Sequence, residues 1–400
     1  MAELLELREA QALVLDRIAP TGAERVPIER AAGRVLAEPV AATCDLPRFP
    51  SSAMDGFAVR WAPAGDESAR LRVVGVAAAG TPSARPLGPG EAITISTGAV
   101  VPEGAAAVVP IEHVSEADGV VTVLGSVALG DNIRRPGLDV AAGDLVLEPG
   151  VRLGPAQVAA LAAAGASEAQ CRSRPRVGVL VTGSELRPPG SELGPGEIYE
   201  SNGLMLAAQL VAAGAVPAQL GVVPDDRGKL EQTIERALLG FDMLVTSGGA
   251  SAGERDLVRE AQAAAQVEEV FHGVAIKPGK PVGFGMRRSH PVFNLPGNPV
   301  SSLVCFELLV RPAVNALLGL PEPLPAFDDG TLVAAIRRGP RRDEYVRAST
   351  RREGSDLLLE PATGQESHMI VSTAKANALV HVPRGDGELA IGDRVRFLPL

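Results

Sequence analysis

The sequence predicts a multi-domain chain of α/β plus β class, in which a doubly wound α/β domain follows a mostly-β region and precedes a small β-barrel. Three observations carry this. From residue 176 to about 320, apolar β-rich runs alternate with amphipathic helical runs, the signature of a mostly parallel sheet covered on both faces. Between about 46 and 140, short β-rich runs are separated by Gly/Pro turns. After the proline-rich break PEPLP at 321–325, short strands return and end in RVRFLPL.

Taken in order, Leu4, Leu5, Leu7, Val14, Leu15 and Ile18 fall at roughly helical spacing and predict an opening helix over 4–18. LRVVGV, EAITIS, AAVVPIEHV and VVTVLG predict the strands of the mostly-β region. PAQVAALAAA reads as a helix with proline in its first turn, and RSRP at 172–175 as a boundary. In the α/β region VGVLVT, AQLGVV, FDMLVT and PVFNLP are strands, whereas GLMLAAQLVAA, GKLEQTIERALL and VSSLVCFELLVRPAVNALL are helices. Leu230, Ile234 and Leu238 recur every fourth residue, one stripe to face a sheet.

A 400-residue chain exceeds one hydrophobic core, and 46% hydrophobic with 22% charged residues is an ordinary globular balance. A net charge of −10 argues against a nucleic-acid partner, so an anionic ligand needs local donors. Cys44, Cys171 and Cys305 form no CxxC pair and the five histidines are scattered, which fits a reducing compartment and offers no metal spacing. The N-terminus MAELLELREAQ is acidic and amphipathic, unlike a signal peptide, and no apolar run approaches the roughly 20 residues of a membrane span. The expected location is cytoplasmic, with no membrane partner.

The functional signal lies at the ends of the α/β strands, where open sheets bind ligands. VGVLVT runs into Thr182, Gly183, Ser184 and Glu185, and AQLGVV into Asp225 and Asp226. FDMLV runs into TSGGASAGERD, with Ser247, Gly248, Gly249, Ser251, Gly253, Glu254 and Asp256. Glycine lifts the Cβ barrier, so backbone N–H groups there can approach an oxyanion closely. PVFNL runs into Pro296, Gly297, Asn298 and Pro299, with Asn298 placed to cap a helix. Any one loop could be a plain turn; four on one rim predict a cleft. AIKPGKP adds Lys277 and Lys280 between prolines that restrict the backbone, a pair suited to a small oxyanion. It is no P-loop, since Lys280 precedes Pro281, and no GxGxxG occurs.

SGGxSxGxxD, KPGKP and PGNPVS, in that order, resemble the MoeA/gephyrin family of molybdopterin molybdenumtransferases. So do GRVLAEPV at 33–40, SSAMDGFAVR at 51–60, TGAVVPEGA at 97–105, NIRRPGLD at 132–139, EYVRAS at 344–349 and SHMIVS at 367–372. The resemblance implies four parts: an elongated helical/β N-terminal dimerisation domain from 1–45 and 141–175, an inserted mostly-β domain over 46–140, a molybdopterin-binding α/β domain over 176–325, and a C-terminal β-barrel over 326–400. It implies a homodimer with a composite site, in which one subunit's β domain faces its partner's cleft. It further implies that molybdate is inserted into adenylylated molybdopterin with release of AMP, assisted by Mg2+. Protein partners to expect are the molybdopterin adenylyltransferase and molybdoenzyme chaperones.

On that reading Asp55, Thr97, Asp139, Glu185, Asp225 and Asp256 are the catalytic candidates. Lys277 and Lys280 would meet molybdate, each charge-assisted contact contributing about 1.5–3 kcal/mol. Glu185, Asp225 and Asp256 would hold Mg2+ or pair with the pterin's amidine-like edge. Arg134 would approach the partner's cleft; Arg347 and Ser372 would meet the ligand's anionic end. The chain departs from the family's usual TGDEL in TGSEL, from PPFDNSAMDGYA in PRFPSSAMDGFA, from GEDI in GLDV and from GADAVV at Ala106. These departures keep open a paralogue that uses tungstate. An adenylyltransferase sharing the SGG and PGNP loops, and a non-catalytic scaffold of the same fold, are the other readings.

Overall fold

The computed structural model describes residues 4–60, 69–248 and 257–400, which form two compact units. One holds Cys171–Leu400, Gly33–Ala37 and the N-terminal segment up to Glu24; the other holds Arg25–Ala32 and Glu38–Gln170.

The first unit is built on a six-stranded sheet. Its order is Val216–Val223, Arg176–Thr182, Met243–Ser247, His290–Leu295, Gly283–Arg287, Glu268–His272. The first four strands are parallel and the last two antiparallel. Side chains alternate across the sheet as the strand period of two requires. Val177, Val179, Met243, Val245, Phe293 and Leu295 enter one core with helices Asn202–Ala213 and Pro299–Cys305. Leu180, Leu244 and Val292 enter the other with Leu230, Ile234 and Leu238 of helix Arg227–Gly240. Both faces are thus covered, which explains the near-continuous apolar strands. The parallel strands and their helices follow the sequence pattern; the antiparallel pair was not anticipated, because GFGMR carries two glycines and no alternation.

Helix Pro299–Leu317, 19 residues, is the one described helix long and apolar enough to cross a membrane, and it lies largely inside the core. It begins at the carboxyl end of strand His290–Leu295 and so delivers Asn298 and Pro299 to the rim. The opening helix is shorter than its periodicity suggested, Leu7–Leu15 rather than 4–18. Leu5 is extended instead: its N–H donates to the Gly273 carbonyl (3.2 Å), and its carbonyl accepts from the Ala275 N–H (2.8 Å). Leu5 of the extended segment and Leu7 and Leu13 of the helix pack against the same core, so the apolar pattern continues where the helix does not.

The C-terminal strands close into a five-stranded barrel. Asp343–Glu353 pairs with Asp356–Pro361 and Ala378–Val382, and Asp328–Leu332 and Arg394–Pro399 complete the ring. Leu332, Val346, Leu359, Val380 and Phe397 fill it. Ile276–Lys277, in the segment read as AIKPGKP, adds to this sheet parallel to Asp343 and Glu344.

In the second unit a six-stranded sheet runs Ala107–Pro110, Gly56–Val59, Glu91–Ile95, Arg70–Ala77, Val120–Val123, Val114–Ala117. Phe57, Val59 and Ala92 enter one core and Ala58 and Ile93 the other, so this sheet too is buried on both faces.

Candidate functional site

The carboxyl ends of the four parallel strands open into a cavity of about 670 Å3. Each strand contributes. Thr182, Gly183 and Glu185 follow Arg176–Thr182, and Asp225 follows Val216–Val223. Ser247 and Gly248 end Met243–Ser247, and Gly297, Asn298 and Pro299 follow His290–Leu295. Four loops scattered over more than a hundred positions therefore share one wall.

Hydrogen bonds, the innermost of them buried, tie the loops together. The buried Thr182 hydroxyl donates to Asp225 Oδ1 at 2.9 Å, which orients one carboxylate oxygen and leaves the other without a described partner. The Asp225 N–H donates to Ser184 Oγ at 3.4 Å, so the serine that departs from the family's aspartate still supplies an acceptor there. Asn202 Nδ2 donates to Ser247 Oγ (2.9 Å) and to the Gly297 carbonyl (2.7 Å). Ser247 is fully buried, 3.2 Å from Ser302 Oγ. Ser302 in turn donates to the Pro296 carbonyl at 2.6 Å.

Gly248 shows why glycine stands here. Its φ is +101°, and a Cβ would fall on the backbone carbonyl of Thr182. Backbone handedness and the close approach of two strand ends each exclude a side chain. Asn298 occupies the position before the helix with an extended backbone, yet its side chain makes no capping bond and remains available to the cavity it lines. Gly249, Ser251, Gly253 and Asp256 lie outside the described residues.

Several lining residues were not named as site residues from the sequence: Tyr199, Glu200, Ser201 and Asn202, and His368 and Ile370 of the motif SHMIVS. The first four belong to YESN, which reads as an ordinary helix start; Glu200 does cap the helix, accepting the Gly203 N–H at 2.6 Å. His368 and Ile370 come from the segment SHMIVS beside the barrel, so only tertiary structure could bring them to the rim.

The lysines are placed differently from the expectation. Neither Lys277 nor Lys280 lines this cavity. Lys277 Nζ pairs with Glu344 Oε2 at 3.1 Å, a consequence of the strand pairing that sets the two residues side by side. Lys280 is exposed, and among the described residues its ammonium has no ion-pair partner. Arg347 is only 1% exposed. Its guanidinium donates to the carbonyls of Glu366 (3.2 Å) and Gly364 (2.6 Å) and to Thr373 Oγ1 (3.1 Å), while Nε has no partner. Burial pushes its pKa down, opposed by the Glu366 charge. Most of this arginine braces the 364–373 segment, and one donor is left over. Ser372 lines a separate cavity of about 360 Å3 with Thr363, Glu360 and Lys375.

In the other unit the N-terminal motifs converge. The Thr97 N–H donates to Asp55 Oδ1 at 2.7 Å. Ser51 pairs with Arg134, and the Ser52 N–H donates to the Ala99 carbonyl at 3.0 Å. Asp55, Thr97 and Arg134 are all exposed. Asp139 is exposed as well, its N–H donating to the Leu46 carbonyl at 2.9 Å. Three sequence motifs form one polar face because paired short strands carry them.

Among the described residues, no group of three or more His, Cys, Asp or Glu side chains is arranged to hold a metal. Glu185 and Asp225 reach the cavity together, two carboxylates of the oxygen-donor kind that a hard divalent cation takes.

Comparison with known proteins gives a consistent result. Residues 5–165 match the family model described as MoeA N-terminal region (domain I and II). Residues 178–316 match that of a probable molybdopterin binding domain, and 329–400 the MoeA C-terminal region (domain IV). A protein named molybdopterin molybdenumtransferase 2, from Mycobacterium tuberculosis, is 36% identical over 98% of this chain and 99% of its own. A molybdopterin molybdenumtransferase of Haemophilus influenzae is 33% identical over 99% and 98%. The crystal structure of a molybdopterin biosynthesis MoeA protein from Pyrococcus horikoshii superimposes with a TM-score of 0.86 at 31% identity, covering all of both chains.

Proposed function

The chain belongs to the MoeA family, and from that premise we propose that it is a molybdopterin molybdenumtransferase of molybdenum cofactor biosynthesis, inserting molybdate into adenylylated molybdopterin with release of AMP. The observation that carries the reading is the cavity at the ends of the four parallel strands. Its volume suits a small-molecule ligand of pterin-nucleotide size. Its walls offer what such a ligand needs. The carboxylates of Asp225 and Glu185 can accept from the pterin's N–H donors. The side chain of Asn298 and the backbone around Gly248 and Gly297 can approach phosphate or hydroxyl groups.

Within this reading Lys280, exposed and without an ion-pair partner among the described residues, is the stronger candidate to receive molybdate. Lys277 would first have to leave Glu344, and Arg347 and Ser372, one buried and one in a separate cavity, would reach the ligand's anionic end only if their segment moved. Glu185, Asp225 and Asp256 are the candidates to hold Mg2+; bound there, the ion would neutralise charge on the pyrophosphate. Asp55, Thr97, Arg134 and Asp139 serve the partner subunit's cleft in a homodimer, a role that the shared exposed face of the first three supports. A cytoplasmic location, and contact with the adenylyltransferase that supplies the substrate and the chaperones that take the product, complete the proposal.

The test is AMP release from adenylylated molybdopterin, followed with molybdate, with tungstate and with neither. Oxyanion-dependent release supports the transferase. Consumption of ATP and molybdopterin to make the adenylylated pterin would assign the adenylyltransferase reaction instead. No turnover in either direction would leave only a scaffold. Preference for tungstate would trace to the departures at Pro50, Ser51, Ala106 and Ser184.

A further inference from the structure

Lys277 does not stand free to receive an anion, because the fold sets an acid beside it. Ile276–Lys277 pairs with Asp343 and Glu344 in parallel register, Lys277 opposite Glu344. Two further bonds hold that register: the Asp343 N–H donates to the Ala275 carbonyl at 3.1 Å, and Arg342 Nη1 to the Ile276 carbonyl at 3.3 Å. The far end of the segment is held as well. The Lys280 carbonyl accepts from the Val274 N–H at 3.0 Å, and the Gly279 carbonyl from the Val282 N–H at 3.1 Å. Behind the turn the buried Cys305 thiol donates to the same Gly279 carbonyl at 3.5 Å. With the backbone fixed at both ends, lysine and acid part only by side-chain movement.

The two side chains are unequal in this. That of Lys277 is 53% exposed and that of Glu344 only 16%. Glu344 Oε1 lies so close over Gly339 that a Cβ there would collide with it, while Oε2 meets Lys277 Nζ at 3.1 Å. The acid is the fixed member, and the lysine, on its flexible four-carbon stem, the movable one. An ion pair this exposed contributes little to stability. Its larger effect falls on an incoming anion, which must displace a carboxylate already seated on the ammonium.

We propose that Glu344 is a positioning residue for the oxyanion step: it holds Lys277 as an internal counter-ion, and molybdate gains this lysine only by displacing the acid. This rests on the assignment of the KPGKP lysines to molybdate made above. Lys280 then makes the first contact, and Lys277 joins it on release. The apparent affinity for molybdate is lowered by the fraction of molecules in which Lys277 is occupied by Glu344.

The test is equilibrium dialysis against molybdate alone, at fixed ionic strength, of the wild-type protein, E344Q, E344A, K277A and the double variant K277A/E344Q, with urea unfolding of each. E344Q and E344A are expected to bind molybdate about 3- to 5-fold more tightly than wild type, the equilibrium effect of releasing one exposed ion pair. In the K277A background, E344Q should change binding less than about 2-fold. In AMP release, E344Q should lower the half-saturating molybdate concentration by the same factor and leave the maximal rate unchanged. Unchanged or weaker binding in both Glu344 variants, with wild-type unfolding, would overturn the inference, since the acid would then be orienting the lysine for the anion. Equal tightening with and without Lys277 would overturn the counter-ion role. Wild type and variants alike binding no molybdate would overturn it too. AMP release indifferent to any oxyanion would remove the transferase reading, while dialysis, which needs no pterin nucleotide, would still decide the inference.

Discussion

Gly248→Ala isolates what the opened backbone contributes to the site. Two costs act there. A residue with a Cβ at φ +101° carries a left-handed backbone penalty of about 1–2 kcal/mol. The new Cβ would also fall on the Thr182 carbonyl, which is main chain and can give way only if a strand end moves, an overpacking cost of about 1–3 kcal/mol. Together they predict a loss of about 2–5 kcal/mol from the unit's stability. Because Thr182 also holds Asp225, the shift should disturb the cavity floor and weaken ligand binding at least about 10-fold. Gly190→Ala is the control: its φ is +85° with open space around the Cβ, so only the first cost applies. Urea unfolding of the full chain, with calorimetric binding of adenylylated molybdopterin, reads both effects. Equal destabilisation by the two substitutions, with binding intact in Gly248→Ala, would refute the close-approach argument.

Further outcomes follow from the same geometry. Asn202→Ala removes one buried hydrogen bond to Ser247 and one part-buried bond to the carbonyl of the exposed Gly297, so urea unfolding should show a loss of about 1–3 kcal/mol; a neutral result would mean water replaces both contacts. Lys280→Ala should raise the molybdate concentration needed for half-maximal AMP release about 10-fold, and an unchanged requirement would remove this lysine from the oxyanion site. Asp343 gives a pH test. Burial raises its pKa, but the Arg384 N–H, the His381 ring and the charges of both outweigh this and hold it below the ordinary value. Its stabilisation is therefore present above the unfolded value and lost as pH falls through the folded one. The wild-type advantage over D343N in urea unfolding should be full at neutral pH and shrink below about pH 4; an advantage unchanged at acid pH would exclude the ion pair as its source. Asp55→Ala and Asp256→Ala, each inactive alone, should restore about a quarter of wild-type sites in co-expressed mixed subunits, as two-fold symmetry requires of a composite site. No recovery in verified mixed dimers would place the site within one subunit or leave Asp55 a fold residue.

Much of the α/β domain was legible because its central strands are buried on both faces and the parallel strands run into glycine, proline or short polar residues. That punctuation places Thr182, Asp225, Ser247, Gly248 and Gly297 on one rim, where the structure has them. The antiparallel strand Gly283–Arg287 was hidden because two glycines break its alternation, and Glu268–His272 because EEVFH opens on two exposed acids and carries only a short apolar run. Asn202 was missed since YESN looks like a helix start and gives no sign that an amide reaches two other loops. The lysines of KPGKP were grouped with the rim by their place in the sequence. The pairing of Lys277 with Glu344, set by strand register, assigns that segment to the barrel sheet. His368 lay beyond sequence reasoning for a related reason, since what brings it to the cleft is the Ser367–Val300 hydrogen bond.

That the chemistry belongs to the cavity at the ends of the parallel strands is tested most directly by amide hydrogen exchange with and without adenylylated molybdopterin. Ligand should slow exchange in the peptides carrying 182–186, 225–226, 247–248, 297–300 and 367–370, while helix Arg227–Gly240 on the far face of the sheet keeps its rate. Protection confined to other segments, with these loops unchanged under saturating ligand, would contradict the account.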